Sequence, residues 1–92
     1  MANEEGSPIC AFGDELLLGR RVRGRDQHHV AIPLSGCPPG SRAVGFWHTH
    51  PEGSPNPSRK DVSEALRLGL DVVCVTVPET GITRCLALTR GR

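Results

Sequence analysis

The 92-residue sequence predicts a small α+β domain, a mixed β-sheet with one main helix packed on it. Three observations carry that prediction. Short β-rich runs dominate the chain, punctuated by 11 Gly and 8 Pro, so elements are brief and turns frequent. A single segment, Ser58–Leu70, has helical periodicity. That helix falls between strands, which is the order of an α+β sheet covered on one face. The length suits one domain, 1–92, with a modest core.

In chain order, Ile9–Phe12 is a short apolar run closed by the turn dipeptide Gly13-Asp14. Glu15–Val22, with Leu16, Leu17 and Leu18, then reads as the return strand of a hairpin. His29–Leu34 alternates weakly around Val30 and Ile32 and is assigned as a strand. Ser35–Ser41 is a loop by composition, Ser-Gly-Cys-Pro-Pro-Gly-Ser. Arg42–His50 holds Val44, Phe46 and Trp47 and reads as a buried strand ending in polar residues. Pro51–Pro57 contains three prolines, which donate no ladder hydrogen bonds, so it is a loop of fixed shape.

Ser58 is a good N-cap for the helix, with Asp61 in the capping-box position three residues on. Val62, Ala65, Leu66 and Gly69 recur at i, i+3, i+4 and i+7, on one helical face, and Gly69 can close the element. Val72–Val77 and Ile82–Leu88 then form a hairpin about Pro78–Gly81. That pairing sets Cys74 opposite Cys85. The four cysteines lack CxxC spacing, so a structural Cys-type zinc site is not expected; a Cys74–Cys85 bridge is geometrically open, but in a cytosolic chain the two are read as reduced, half-buried thiols.

Charge and hydropathy exclude several classes. The formal net charge is +1, from ten Arg, one Lys and ten acidic residues. The local cluster Arg20, Arg21, Arg23 and Arg25 is diluted by Gly24 and Asp26 and has no interleaved aromatic residue, so nucleic-acid binding is not expected. No apolar run reaches the 18 or so residues of a membrane span, and the first ten residues do not resemble a signal peptide. A cytoplasmic location is expected. An exposed sheet edge in so short a chain leaves a homodimer open.

The chemistry concentrates in His48-Thr49-His50-Pro51, followed by Ser58 and Asp61. Side chains at i and i+2 of a strand share a face, so His48 and His50 can reach one ion. The proline-rich loop returns the chain to a helix whose first turn carries Asp61. Two imidazoles and a carboxylate are three ligands, leaving a fourth tetrahedral position for water, the pattern of a catalytic Zn2+ site. Singly, each histidine has a structural reading, and Ser58 with Asp61 could be only a capping box; one ion unites them.

The spacing His-x-His, seven residues, Ser, two residues, Asp resembles the signature of the JAMM (MPN+) zinc metalloproteases, and His48, His50, Ser58 and Asp61 fit it without a gap. Pro51 matches as well, and the strand before the motif and the helix and strands after it are similar to the family's, so the resemblance spans most of the chain. It implies a cytidine-deaminase-like core in minimal form, with His48, His50 and Asp61 as Zn2+ ligands. It also implies that Ser58 helps stabilise an oxyanion and that a first-strand glutamate is the general base. Glu4 fits that place best, with the small residue Ser7 three positions on, then Glu5, then Glu15. The helix that precedes the base in the family has no counterpart before Glu4, and the chain has no room for the long insertions of ubiquitin-specific members. The implied activity is a peptidase or isopeptidase acting on a peptide or a small ubiquitin-like modifier conjugate. The alternative is an inactive metal-binding scaffold or subunit of the same fold.

Overall fold

The computed structural model describes residues 3–24, 32–51 and 53–88. The described residues form six strands and one α-helix in the order β1 (Glu5–Phe12), β2 (Glu15–Leu18), β3 (Val22–Arg23), β4 (Arg42–Thr49), α1 (Arg59–Arg67), β5 (Val72–Val77) and β6 (Ile82–Ala87). A 3-10 turn, Leu34–Gly36, lies between β3 and β4. The sheet order is β2-β1-β4-β5-β6, with β3 continuing along the same edge of β1 as β2. All adjacent pairs are antiparallel except β4 and β5, which are parallel. A parallel neighbour cannot be reached by a tight turn, and α1 supplies the crossover.

β4 is the central strand, buried without interruption from Val44 to Thr49. The antiparallel register with β1 shifts between Ile9 and Cys10, so that Gly45 faces Ile9, Ala43 faces Cys10, and Val44 is the extra residue of a β-bulge. Gly45 is required there: a Cβ at that position would stand 2.2 Å from the Val72 carbonyl oxygen on β5. Two apolar clusters result. Phe46, Ala65, Leu70 and Val73, with Ile32, Leu34 and Leu88 against them, fill the space between sheet and helix. Ile9, Val44, Trp47 and Cys74 form the second cluster, which has no residue of α1.

Ser58 caps α1 through a complete capping box with Asp61, and Gly69, at φ 75°, follows its end. The helix is shorter than Ser58–Leu70, and of its predicted apolar face only Ala65 is buried; Val62 is half-buried and Leu66 exposed.

Other sequence expectations need correction. The first strand starts at Glu5 and includes Gly6 and Pro8, because Pro8 turns its carbonyl to the Gly19 N–H and its missing donor breaks no pairing on that side. The predicted strand Glu15–Val22 is broken after Leu18, where the Arg20 N–H bonds the Gly36 carbonyl in place of β1. The predicted strand His29–Leu34 lies outside the described residues as far as Ala31; from Ile32 on there is no strand, and Leu34 opens the 3-10 turn. Cys74 and Cys85 face one another as predicted but are disulfide-bonded and not reduced, and Cys10 is bonded to Cys37. The physical reason is proximity: facing Cα atoms stand 4.0 Å apart in the first pair, and the 3-10 turn brings Cys37 to 5.7 Å from Cys10 in the second. Among the described residues no helix is long and apolar enough to cross a membrane.

Candidate metal centre

His48 lies near the carboxyl end of β4, and His50 follows one residue beyond the strand. The His50 N–H still donates to the Thr76 carbonyl of β5 at 2.9 Å, so the extended geometry continues and both imidazoles share a face. Asp61 comes to them from the third position of α1. The capping box fixes that helix start: the Ser58 N–H donates to Asp61 Oδ2 at 2.8 Å, and the Asp61 N–H donates to Ser58 Oγ at 3.1 Å. One short helix entry therefore both satisfies orphan backbone groups and aims a carboxylate at the strand end.

The ligand atoms converge. Asp61 Oδ1 is 3.1 Å from His48 Nε2, and Asp61 Oδ2 is 3.6 Å from His50 Nε2. All three donor groups lie within 4.8 Å of one another. Tetrahedral zinc with bonds of about 2.0–2.1 Å has ligand-to-ligand edges of about 3.3 Å, and each carboxylate oxygen of Asp61 stands near that distance from one imidazole nitrogen. The imidazole planes stand 83° apart with centroids 4.8 Å apart, so the rings meet edge-on and leave their nitrogens accessible to a common point.

Both rings are oriented from behind. His50 Nδ1 lies 2.9 Å from the Ser54 carbonyl, an acceptor, and so carries the proton. His48 Nδ1 lies 3.3 Å from Glu4 Oε1, and a carboxylate there favours the same tautomer. Each Nε2 then presents a lone pair toward Asp61, as metal ligation requires. His48 Nε2 is fully buried and has no hydrogen-bond partner: its contact with Asp61 has the distance of one and not the alignment. A buried acceptor without a donor is costly and is satisfied by a cation. The residues present fit a metal ion.

The electrostatics of the metal-free chain agree. Burial alone lowers the His48 pKa, but the Asp61 and Glu4 carboxylates beside it outweigh burial and raise it above its ordinary 6.5. Burial pushes the Asp61 carboxyl up, yet His48 and the Ser58 N–H hold it down at about 2. Asp61 is thus a permanent anion at neutral pH.

Among the three glutamates, the structure brings only Glu4 to the cluster, buried beside His48. Glu5 forms an ion pair with Arg21 at 3.5 Å, and Glu15 is exposed at the start of β2, opposite Phe12. Arg21 also stands over the Trp47 ring at 4.9 Å. That part of the arginine cluster is committed to structure, and Arg25 lies outside the described residues. Sequence reasoning missed the Ser54 carbonyl, which has no side-chain signature. It also passed over the Thr49 hydroxyl, at the end of the buried run Val44–Thr49, where a buried polar group is itself a signal.

Residues 16–88 match the family model described as prokaryotic homologs of the JAB domain. The match takes in His48, His50, Ser58 and Asp61 and begins after β1. Among solved structures, the chain is similar to that of a JAB1/MPN domain protein from Archaeoglobus fulgidus, with a TM-score of 0.58 and 22% identity over 92% of this chain and 70% of that one. At that identity the likeness shows the fold. No curated protein matches the chain.

Proposed function

This chain belongs to the family of prokaryotic homologs of the JAB domain, and from that premise we propose that it is a zinc-dependent hydrolase of amide bonds. Its substrate is a peptide or a small ubiquitin-like modifier conjugate or precursor. The observation that supports this most is the convergence of His48 Nε2, His50 Nε2 and the Asp61 carboxylate, with both imidazoles oriented by acceptors at Nδ1. Three protein ligands leave one tetrahedral position open, the mark of a catalytic rather than a structural zinc site.

Zinc bound there supplies Lewis acidity, activating a water and polarising the scissile carbonyl. The chain's own residues supply the rest. Glu4 is the one carboxylate besides Asp61 that the described residues bring to the cluster, and it takes the proton of the attacking water and delivers it to the leaving amine. Ser58 Oγ accepts the Asp61 N–H, so its own O–H remains to donate to the developing oxyanion. Asp61, anionic at neutral pH, and the burial of His48 keep the ligand set fixed and partly dry.

The test is hydrolysis of peptide and modifier-fusion substrates by the zinc-loaded chain, beside Glu4→Gln. Glu4→Gln should keep its metal and lose about 10²–10⁴-fold in kcat. A loaded wild type that cleaves nothing across such a panel would favour the inactive scaffold reading instead.

A further inference from the structure

The residues that hold Glu4 in place form an uneven set. The Glu4 carbonyl accepts the Gly24 N–H at 2.6 Å, and Asn3 Nδ2 donates to the Gly24 carbonyl at 3.1 Å. Glu5 and Gly6 pair with Arg23 and Val22 of β3. All of these tie the start of β1 to one side, the side away from the metal centre. On the other side the β1–β4 ladder ends at Gly6 facing His48. One further bond crosses to β4: the Glu5 N–H donates to Thr49 Oγ1 at 2.9 Å.

Thr49 sits between the two histidine ligands and is buried at 6% exposure. Strand alternation turns its side chain to the face opposite theirs, so it makes no direct contact with the ion. It faces Thr76 in the parallel ladder through its neighbour, since the His50 N–H donates to the Thr76 carbonyl, so its own peptide groups turn toward β1, one step beyond the last ladder pair, Gly6 and His48. The hydroxyl therefore replaces a missing ladder bond and fastens the peptide unit joining Glu4 to Glu5 onto the strand that carries the ligands.

We propose that Thr49 is a positioning residue: its hydroxyl, by holding the Glu5 N–H, sets the placement of the Glu4 carboxylate against His48 and the open side of the metal centre. The inference rests on the reading of Glu4 as the proton acceptor. A valine at 49 keeps the shape and removes the acceptor, leaving a buried N–H without a partner. A serine keeps the acceptor and removes only a methyl group.

The experiment compares zinc-loaded wild type, Thr49→Val and Thr49→Ser in three measurements: bound metal per chain, kcat and KM, and hydrogen exchange of the Glu5 amide. The expected result for Thr49→Val is unchanged metal, unchanged KM, kcat lower by about tenfold and Glu5 exchange faster by at least as much. Thr49→Ser should restore both kcat and protection. Loss of metal in Thr49→Val, equal defects in Val and Ser, or an unaltered Glu5 amide would overturn the proposal. If the wild type hydrolyses nothing, the reading of Glu4 fails with the enzyme reading, whereas the Glu5 amide still reports whether Thr49 holds the start of β1.

Discussion

Replacing Asp61 by Asn in the metal-free chain should flatten its acid denaturation by about 2 kcal/mol. The carboxyl is held at about 2 against an ordinary 3.8. A folded-state pKa below the unfolded value gives stability that is complete above the unfolded pKa and is lost as pH falls through the folded one. At 1.36 kcal/mol per pKa unit, the shift corresponds to about 2 kcal/mol at neutral pH, of which about 1 kcal/mol is gone by pH 3 and most by pH 2. The side chain is only 13% exposed, so solvent screening removes little of it. His48 does not add to the slope in this window, because its raised pKa leaves it protonated in both states below about pH 5. Asparagine retains an oxygen for the Ser58 N–H, so the capping geometry survives while the charge is lost. Urea unfolding of both proteins at pH 5, 3 and 2 measures the difference. An Asp61→Asn chain that loses as much stability as the wild type between pH 5 and 2 would refute the assignment of that acid sensitivity to Asp61.

Three other outcomes are expected. Metal binding must displace a proton from His48, so zinc affinity should fall as pH drops through the raised His48 pKa, approaching tenfold per unit below it; competition titrations at pH 8, 7 and 6 would contradict this by giving one constant. Gly45→Ala should destabilise by about 3 kcal/mol or more and Gly6→Ala by about 1, because the new Cβ meets the Val72 carbonyl at 2.2 Å in one case and the movable end of Ile32 at 2.6 Å in the other; equal losses in urea unfolding would contradict this. Removing the Cys10–Cys37 bridge, which spans 27 residues, should cost about 3–4 kcal/mol, and the Cys74–Cys85 bridge, spanning 11, slightly less; the paired alanine variants, compared by thermal unfolding without reductant, check the order.

What could be read from the sequence followed how local each signal was. The His48–His50 pair and the Ser58–Asp61 box are encoded within fourteen residues, 48–61, and needed only strand alternation and helix capping to be foreseen. The β5–β6 hairpin was legible for the same reason, including the placement of Cys74 opposite Cys85. Its oxidation was misjudged because the inference came from compartment and composition rather than geometry. The Cys10–Cys37 bridge depended on residues 32–37 folding back over β1, whereas the sequence reads as a strand as far as Leu34 and as a loop from Ser35, with nothing local to place Cys37 beside Cys10. β1 was underestimated because Gly6 and Pro8 are poor strand formers singly; Gly6 makes room for Ile32, and Pro8 needs no donor where it pairs. The ranking of Glu4 over Glu5 rested on the small residue Ser7 three positions on, and one residue of register would have reversed it.

The central claim is that His48, His50 and Asp61 hold one catalytic divalent ion. Its most direct test is metal content by mass spectrometry on chain purified without added metal and after exposure to micromolar zinc, beside His48→Ala, His50→Ala and Asp61→Ala. The account predicts one zinc per wild-type chain and a loss of stoichiometric metal in each variant, with circular dichroism unchanged. A wild type that takes up no zinc, or variants that keep it, would contradict the account.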